Sequence, residues 1–267
     1  MAVNVIKFNG EKELFSEKKA YNSAKRAGAS DDLARKIVKE LDVFDGIKTS
    51  EISEKIRKAL RKENKKAAVR FNLKKAIKNL GPTGFPFEKY VAEIFKNQGF
   101  KSKTNLFIEG KCCVHEIDFT AEKNNLLYIG ECKYRNVPAS KVETKDALAN
   151  YARFLDILNK KSFSNLNIKS LLVTNSKFTS RAVRYSKCVG VELLGWRYPK
   201  DKGLEYLIEK DKLYPITILP SFKNYMFDMF TSKGLMMAKD VLKLKKINLG
   251  KKVLQNLKQE STLIYED

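Results

Sequence analysis

Histidine is scarce in this 267-residue sequence, and its cysteines lack the spacing of common metal or disulfide scaffolds. His115 is the single histidine, and none of the four cysteines forms a CxxC pair. A structural zinc site or a disulfide framework is therefore not expected, and a reducing cytoplasm is the simple setting. A Ser-His or Cys-His nucleophile would have to use His115, and no partner pattern accompanies it. We expect His115 to be structural and the cysteines to be small core residues.

Long apolar runs are absent, and acidic residues are few. No stretch approaches the length that spans a bilayer, and the first residues lack the pattern of a signal peptide, so no membrane partner is expected. Lysine and arginine number 53 against 31 acidic residues, which gives a formal charge of +22. A field of that sign favours polyanions, and nucleic acid first among them. The apolar fraction of 43% is that of a folded globular protein.

Local signals in the first eighty residues predict a hairpin followed by helices. Asn9-Gly10 is a strong two-residue hairpin turn between two short strands. Ser16, Ser30 and the Thr49-Ser50 pair have the character of helix N-caps. The predicted helices cover residues 16–27, 30–41, 49–60 and 64–79.

The segments VIKFNGEKELF, KRAGAS, FDGIKTSEI and AVRF, in that order, resemble an ATP-cone. This regulatory nucleotide-binding module occurs at the front of ribonucleotide reductases and of their transcriptional repressor. The resemblance covers Val3 to Lys78 and implies that Lys7, Lys19, Thr49 and Arg70 line a site for ATP or dATP. Ammonium and guanidinium groups neutralise phosphate, and a hydroxyl at a helix start adds a donor.

The family usually has arginine after the hairpin lysine, where this chain has Phe8. An alternative is that the fold persists without nucleotide binding, as a protein-interaction or DNA-docking bundle.

A second hairpin is predicted in the middle of the chain, where residues 113–121 and 126–133 flank a turn-like tetrapeptide. Because side chains alternate along strands, Asp118, Glu131 and Lys133 are expected on one face. Apolar partners are expected on the other face: Ile117, Phe119, Tyr128 and Cys132. Two carboxylates and a lysine in an apolar hairpin are costly unless solvated, paired or bound to a metal.

The surrounding pattern predicts an α/β layer with a mixed sheet. The order is a helix, three strands, a helix, a strand, a helix and a strand. The helices are expected at residues 85–98, 140–158 and 176–188, and the later strands at 168–174 and 189–194.

This order, with FEKYVAEIFKNQGF, HEID, GECK, ALANYARFLDI and SLLVTN, resembles the PD-(D/E)xK nucleases and most of all the Mrr-type restriction endonucleases. The resemblance covers about Gly84 to Trp196. It implies that Asp118 and Glu131 bind a metal, with the Cys132 carbonyl as a further ligand. It also implies that Lys133 lies beside the attacking water, that Glu88 supports the metal, and that cleavage leaves a 5′-phosphate.

Oxygen ligands suit Mg²⁺ or Mn²⁺, which neutralises phosphodiester charge and activates water. The competing interpretation is a surface ion-pair ladder. Glu116 is either a further ligand or has no role. Lys145, Tyr151 and Arg153 either contact phosphate or form the charged outer face of a helix.

The last fifty residues are basic, with lysines crowded between 239 and 258. Residues 203–214 are expected to form a hairpin or connector, and helices are expected at 219–230 and 236–244. The turn at Gly234 resembles a helix-hairpin-helix unit, while a plain helical pair that packs or dimerises is the alternative.

Together these patterns predict an α/β protein (α+β overall) with a hairpin and helical-bundle ATP-cone, a central mixed sheet and a small helical tail. The expected divisions are residues 1–80, a linker at 81–84, a nuclease domain at 85–215 and a basic tail at 216–267. The expected function is a metal-dependent DNA endonuclease that ATP or dATP regulates, acting as a homodimer or higher oligomer. The alternatives are a nucleotide-sensing DNA-binding regulator without catalysis and a nuclease acting on RNA or repair junctions.

Overall fold

The computed structural model describes residues 3–81, 84–137, 139–160, 163, 165–244 and 247–266. Its α/β architecture, with a small N-terminal sheet and a larger mixed one, confirms the predicted fold class. Contacts divide the chain into two compact units. The first comprises Met1–Ala76, Ile216–Lys223 and Ala238–Asp267, and the second Ile77–Pro215 and Asn224–Met237. The tail after residue 215 therefore contributes to both units. Two residues of the expected linker, 82 and 83, lie outside the described residues.

The first unit begins with the expected hairpin. Strand β1 (Asn4–Ile6) pairs antiparallel with β2 (Lys12–Leu14), and Gly10 at the turn has a φ of 82°, which glycine adopts without strain. A third strand, β3 (Ile47–Lys48), pairs parallel with β1 on its other side. The sequence predicts only a turn there, since two residues are too few to show a strand pattern.

Helices close this unit around an apolar cluster rich in alanine and isoleucine. The hydroxyls of Ser16 and Ser30 accept hydrogen bonds from the first turns of α1 (Glu17–Arg26) and α2 (Asp31–Lys39), as their cap positions predict. Asn64 caps a helix as expected, but the single helix predicted over 64–79 is wrong. A turn at Phe71 and Asn72 divides it into two short helices, and Phe71 packs against the core. The helices of this part are α1 (Glu17–Arg26), α2 (Asp31–Lys39), α3 (Thr49–Glu63), α4 (Lys65–Arg70) and α5 (Leu73–Lys78).

The second unit contains a five-stranded mixed sheet. Its strands are β4 (Lys101–Glu109), β5 (Val114–Lys123), β6 (Leu126–Cys132), β8 (Asn167–Val173) and β10 (Glu192–Leu194). They lie in the order β10-β8-β6-β5-β4. Strands β4, β5 and β6 form an antiparallel meander, and β6, β8 and β10 run parallel. A separate two-stranded sheet pairs β7 (Lys141–Val142) with β9 (Lys177–Phe178).

Helices cover both faces of the large sheet, and the apolar contacts show which helix lies on which face. Phe95 of α6 (Phe85–Asn97) contacts Phe119 and Tyr128. Ile157 of α7 (Thr144–Asn159) packs instead with Leu127 and its neighbours in β6. Since adjacent residues of a strand face opposite ways, α6 and α7 lie on opposite faces. Helix α8 (Ser180–Val189) packs beside α7.

The segment after the sheet differs from the sequence prediction. Residues 203–214 contain a helix, α9 (Leu204–Lys210), in place of a hairpin or connector. The two helices expected around Gly234 shrink to a short α10 (Phe227–Thr231) and to 3-10 turns at residues 224–226 and 238–243. A longer helix, α11 (Lys251–Tyr265), follows where the sequence suggests only a run of lysines. Among the described residues, no helix has both the length and the apolarity to cross a membrane.

Candidate functional site

The regular alternation expected of the central hairpin breaks at Asp118. The β4–β5 ladder passes from Thr104–Phe119 to Leu106–Ile117 and leaves out Asn105 and Asp118. Asn105 has a φ of 56°, in the left-handed region. Beyond this break Ile117 packs with Leu127, Ile129 and α7, so its expected place on the face of Phe119 is wrong. The break leaves Asp118 free of the regular strand geometry, at the end of the β5–β6 ladder.

Asp118 and Glu131 lie next to each other across this end of the hairpin. Asp118 Oδ2 accepts a hydrogen bond from the backbone amide of Cys132 at 2.6 Å, which fixes its carboxylate against β6. Glu131, whose residue exposure is 6%, is held from two sides by cations. Lys133 Nζ lies 2.5 Å from its Oε1, and the Arg153 guanidinium of α7 binds its Oε2.

Glu88 joins this cluster from the first turns of α6. Burial, followed by repulsion from Asp118 and Glu131, raises the pKa of the Glu88 carboxyl to about 7. Burial and the charge of Glu131 raise the pKa of Asp118 to about 6, although the Cys132 amide opposes that shift. Glu88 thus feels the charges of Asp118 and Glu131, and Asp118 feels the charge of Glu131, so the three carboxyls lie near one another. Glu116 is exposed and adds a smaller repulsion to Glu88.

The cluster fits a hard divalent cation. Three carboxylates repel one another in a partly buried place, and a cation between them relieves that repulsion. The carboxylate of Glu131 has two oxygens with about four lone-pair sites, so pairing with Lys133 and Arg153 leaves acceptor capacity. Asp118, Glu131 and, at a greater remove, Glu88 are the residues that would hold the ion. Cys132 is buried, and its amide is already bound to Asp118.

Among the other residues expected near phosphate, Arg153 is engaged with Glu131 and is not part of an outer charged face. Lys145 is exposed and pairs with Glu143. Tyr151 packs against Tyr185 of α8, with ring centroids 6.3 Å apart.

In the first unit, Glu13 brings together two of the lysines expected at the nucleotide site. Lys7 Nζ lies 3.0 Å from Glu13 Oε2, and Lys19 Nζ lies 3.1 Å from Glu13 Oε1 and within the same distance of Oε2. The two ammonium groups are therefore at most about 6 Å apart, a span that one phosphate group bridges. Thr49 follows β3 as Lys7 follows β1, so the parallel pairing places them at the same edge.

Arg70 lies away from these lysines along α1. Its guanidinium is next to Gly28, just past the C-terminal end of the helix, whereas Lys19 is in the first turn. The helix axis rises about 1.5 Å per residue, so roughly 10 Å separates Lys19 from Arg26. Phe8, beside Lys7, is 73% exposed at the hairpin.

A cluster that the sequence does not predict lies at the N-terminal end of β5. His115 Nε2 is 2.7 Å from Asp156 Oδ2, and the Cys113 sulfur is 3.6 Å from the same nitrogen. Cys112, Cys113 and Cys188 are exposed, so the expectation of four core cysteines holds only for Cys132. The one clue in the sequence is Asp156, a carboxylate next to Ile157, which is buried on α7. Asp156 lies 41 residues from His115 in the sequence.

Comparison with known proteins shows one domain family and two similar proteins. Residues 3–74 match the ATP cone domain, which confirms the first resemblance. An uncharacterized protein of Archaeoglobus fulgidus is 39% identical over 167 residues, which cover 61% of this chain and 92% of that protein. The crystal structure of a protein of unknown function, AF1548, matches with 35% identity and a TM-score of 0.60, over 68% of this chain and 98% of that one.

Similarity to a nuclease of known structure is slight. The MspJI restriction endonuclease in complex with a 27-mer oligonucleotide is 13% identical, with a TM-score of 0.32, over 62% of this chain and 38% of that one. A likeness of this size carries no argument about activity. The Archaeoglobus fulgidus protein, by contrast, is similar enough in identity and coverage to show a family relationship. The chain therefore belongs to the same family as that protein and has an ATP cone domain at residues 3–74.

Proposed function

We propose that this chain is a metal-dependent nuclease of the Mrr type that hydrolyses phosphodiester bonds in DNA, and that ATP or dATP regulates it through the N-terminal domain. The observation that carries this proposal is the cluster of Asp118, Glu131, Lys133 and Glu88 at the end of the central hairpin. Ion-pair ladders on a strand surface are solvated. Here Glu131 is buried, and two of the carboxyls have pKa values near neutrality.

The role of each residue in the proposed hydrolysis follows from its charge. Bound Mg²⁺ or Mn²⁺ would neutralise phosphate charge and favour ionisation of water at neutral pH. Asp118 and Glu131 would hold that ion, and Glu88 would orient its water shell. Lys133, with its ammonium beside Glu131, orients the attacking water and stabilises negative charge that develops on the phosphorus oxygens. Arg153 fixes the Glu131 carboxylate, so it acts as a positioning residue.

The charge of the chain supports a polyanionic substrate. An excess of 22 positive charges gives affinity for any polyanion through counterion release. The sequence resemblance to restriction-type nucleases favours DNA over RNA, and the cleaved strand is expected to carry a 5′-phosphate.

The nucleotide site is proposed at Lys7, Lys19 and Thr49. The support is the match to the ATP cone domain and the short distance between the two ammonium groups. Arg70, placed beside Gly28, is a weaker candidate for contact with the same ligand. Regulation requires that ATP or dATP bind two states of the protein with different affinities.

The test is cleavage of supercoiled plasmid with Mg²⁺ or Mn²⁺, with and without ATP or dATP. Asp118→Asn, Glu131→Gln and Lys133→Ala should each lower the nicking rate by at least about 10²-fold. Matched controls on exposed positions of the same meander, Glu122→Gln and Lys103→Ala, should leave it unchanged.

Parallel reactions with methylated duplex, branched DNA and RNA decide the substrate class. Tight DNA binding without cleavage of any substrate, in both metals, would refute the nuclease and favour a non-catalytic regulator. Equal rates with and without either nucleotide would refute the regulatory part alone.

A further inference from the structure

We infer that Cys113, His115 and Asp156 form a binding site for a zinc-like transition-metal ion, separate from the proposed catalytic cluster. The candidate ligand atoms, the Cys113 sulfur, a His115 ring nitrogen and an Asp156 carboxylate oxygen, all lie within 4.8 Å of one another. Sulfur, imidazole nitrogen and carboxylate oxygen are the three donor types that zinc takes in proteins.

The distances suit a tetrahedral ion after one small movement. Bonds of about 2.3 Å to sulfur and about 2.1 Å to nitrogen place these donors roughly 3.6 Å apart at a tetrahedral angle. The Cys113 sulfur is 3.6 Å from His115 Nε2. The same geometry needs about 3.4 Å between nitrogen and oxygen. Because His115 Nε2 is 2.7 Å from Asp156 Oδ2, this pair must open by about 0.7 Å as the ion replaces their shared proton.

The surrounding backbone already holds two of the ligands in place. The Asp156 carboxylate accepts hydrogen bonds from the backbone amides of Cys112 and Cys113. The backbone carbonyl of Asp156 accepts a further hydrogen bond from the Lys111 amide. A side chain at Gly110 would collide with the carboxylate, since a Cβ there would lie 2.1 Å from Asp156 Oδ2. The turn before β5 is therefore built closely around Asp156. His115 and Asp156 have side chains that are 16% and 15% exposed, while Cys113 opens to solvent and gives an ion a route of entry.

Cys112 is adjacent in sequence but is not one of the residues whose candidate ligand atoms lie within 4.8 Å of one another, so the described residues supply three ligands to the site. A site with one sulfur, one nitrogen and one oxygen prefers zinc or cobalt to Mg²⁺, which binds oxygen. The ion would tie the turn before β5 to α7, the helix that also carries Arg153.

The test measures metal binding by the reduced full-length protein, independently of any activity. Zn²⁺ is titrated against a chromophoric chelator, and Co²⁺ is added separately to read the sulfur-to-cobalt charge-transfer band. We expect one tightly bound ion per chain and a charge-transfer band in the wild type. Cys113→Ser and His115→Asn should each weaken Zn²⁺ at least about tenfold. Cys113→Ser should also diminish the cobalt band.

Cys188→Ser is the matched control, because this cysteine is likewise exposed but lies on α8. Its Zn²⁺ affinity should equal that of the wild type. Circular dichroism shows whether each variant is folded, and Cys113→Ser, a near-isosteric change at an exposed residue, preserves the hydrogen bond between His115 and Asp156. Zn²⁺ affinity that is absent in the wild type, or unchanged in Cys113→Ser, would overturn the inference.

Discussion

Lys133 Nζ lies 2.5 Å from Glu131 Oε1, and the two residues are separated by one position on the same stretch of chain. The ion pair directs the lysine toward the buried carboxylate of Glu131. Arg153 binds the second oxygen of the same carboxylate. Glu131 is thus the point at which β6 and α7 are joined by charge. The Lys133 ammonium is therefore already oriented by its neighbour.

Loss of Arg153 should loosen this arrangement without removing a proposed catalytic group. Arg153→Ala leaves a buried carboxylate with one cation, and we expect the free energy of unfolding to fall by about 1–3 kcal/mol. Urea denaturation measures this change in the free energy of unfolding. Arg184→Ala, an exposed arginine on α8, is the control and should cost less than about 0.5 kcal/mol. Equal losses in the two variants would show that the contact with Glu131 adds no stability.

Stability in the absence of divalent cations should fall as pH increases between about 4 and 7. A carboxyl whose pKa is raised on folding binds more protons in the folded state across that interval, so its contribution is lost as pH rises. Among the described carboxyls, Glu88 and Asp118, with pKa values of about 7 and about 6, are the two such groups. Glu88→Gln should flatten the decline relative to the wild type, measured by thermal unfolding in EDTA.

Adding Mn²⁺ should reverse the trend, because the ion binds the ionised carboxylates. Stabilisation by Mn²⁺ should therefore grow from pH 5 to pH 8 in the wild type and disappear in Asp118→Asn. The same stabilisation in Asp118→Asn would place the bound ion elsewhere.

Glu13 should compete with nucleotide for Lys7 and Lys19. Its carboxylate occupies both ammonium groups, so a phosphate must displace it. Glu13→Gln is expected to bind ATP about two- to fivefold more tightly at low salt, since each exposed pair is weak. Lys7→Ala and Lys19→Ala should bind more weakly. Glu40→Gln, exposed on the same unit, serves as the control, and fluorescence anisotropy with a labelled nucleotide measures all four.

Gly130 should not tolerate a side chain, because the Phe119 ring lies over it. A Cβ at Gly130 would come within 2.2 Å of that ring, and Phe119 is fully buried. Gly130→Ala should lower the free energy of unfolding by about 1–3 kcal/mol through overpacking. In a Phe119→Leu background the same change should cost less, and a double-mutant cycle in urea measures that coupling. Additive effects would show that the ring is not the cause.

Predictions that rest on local chemistry describe the structure well. The hairpin predicted at Asn9-Gly10 and the helix N-caps predicted at Ser16 and Ser30 are present in the structure. Turns and caps depend on a few adjacent residues, so a local pattern is enough to predict them. The proximity of Asp118 to Glu131 follows from hairpin pairing in the same way. These features need no knowledge of the distant chain.

Features that depend on distant partners were missed or misplaced. Ile117 changes face because Asn105, on another strand, adopts a left-handed conformation. The sequence predicts that Arg153 contacts phosphate or lies on the charged outer face of its helix. It lies instead on the inner face of α7, three residues after the buried Asn150 and four before the buried Ile157. The link between His115 and Asp156 spans 41 residues and no local pattern encodes it.

The single tryptophan makes the two units separately observable. Trp196 is 2% exposed and belongs to the second unit, while the first unit contains no tryptophan. Intrinsic fluorescence during denaturation therefore follows one unit, whereas circular dichroism at far-ultraviolet wavelengths follows the helices of both. Coincident transitions would mean that the chain unfolds as one cooperative body, and separated ones would give the stability of each unit from a single unlabelled sample.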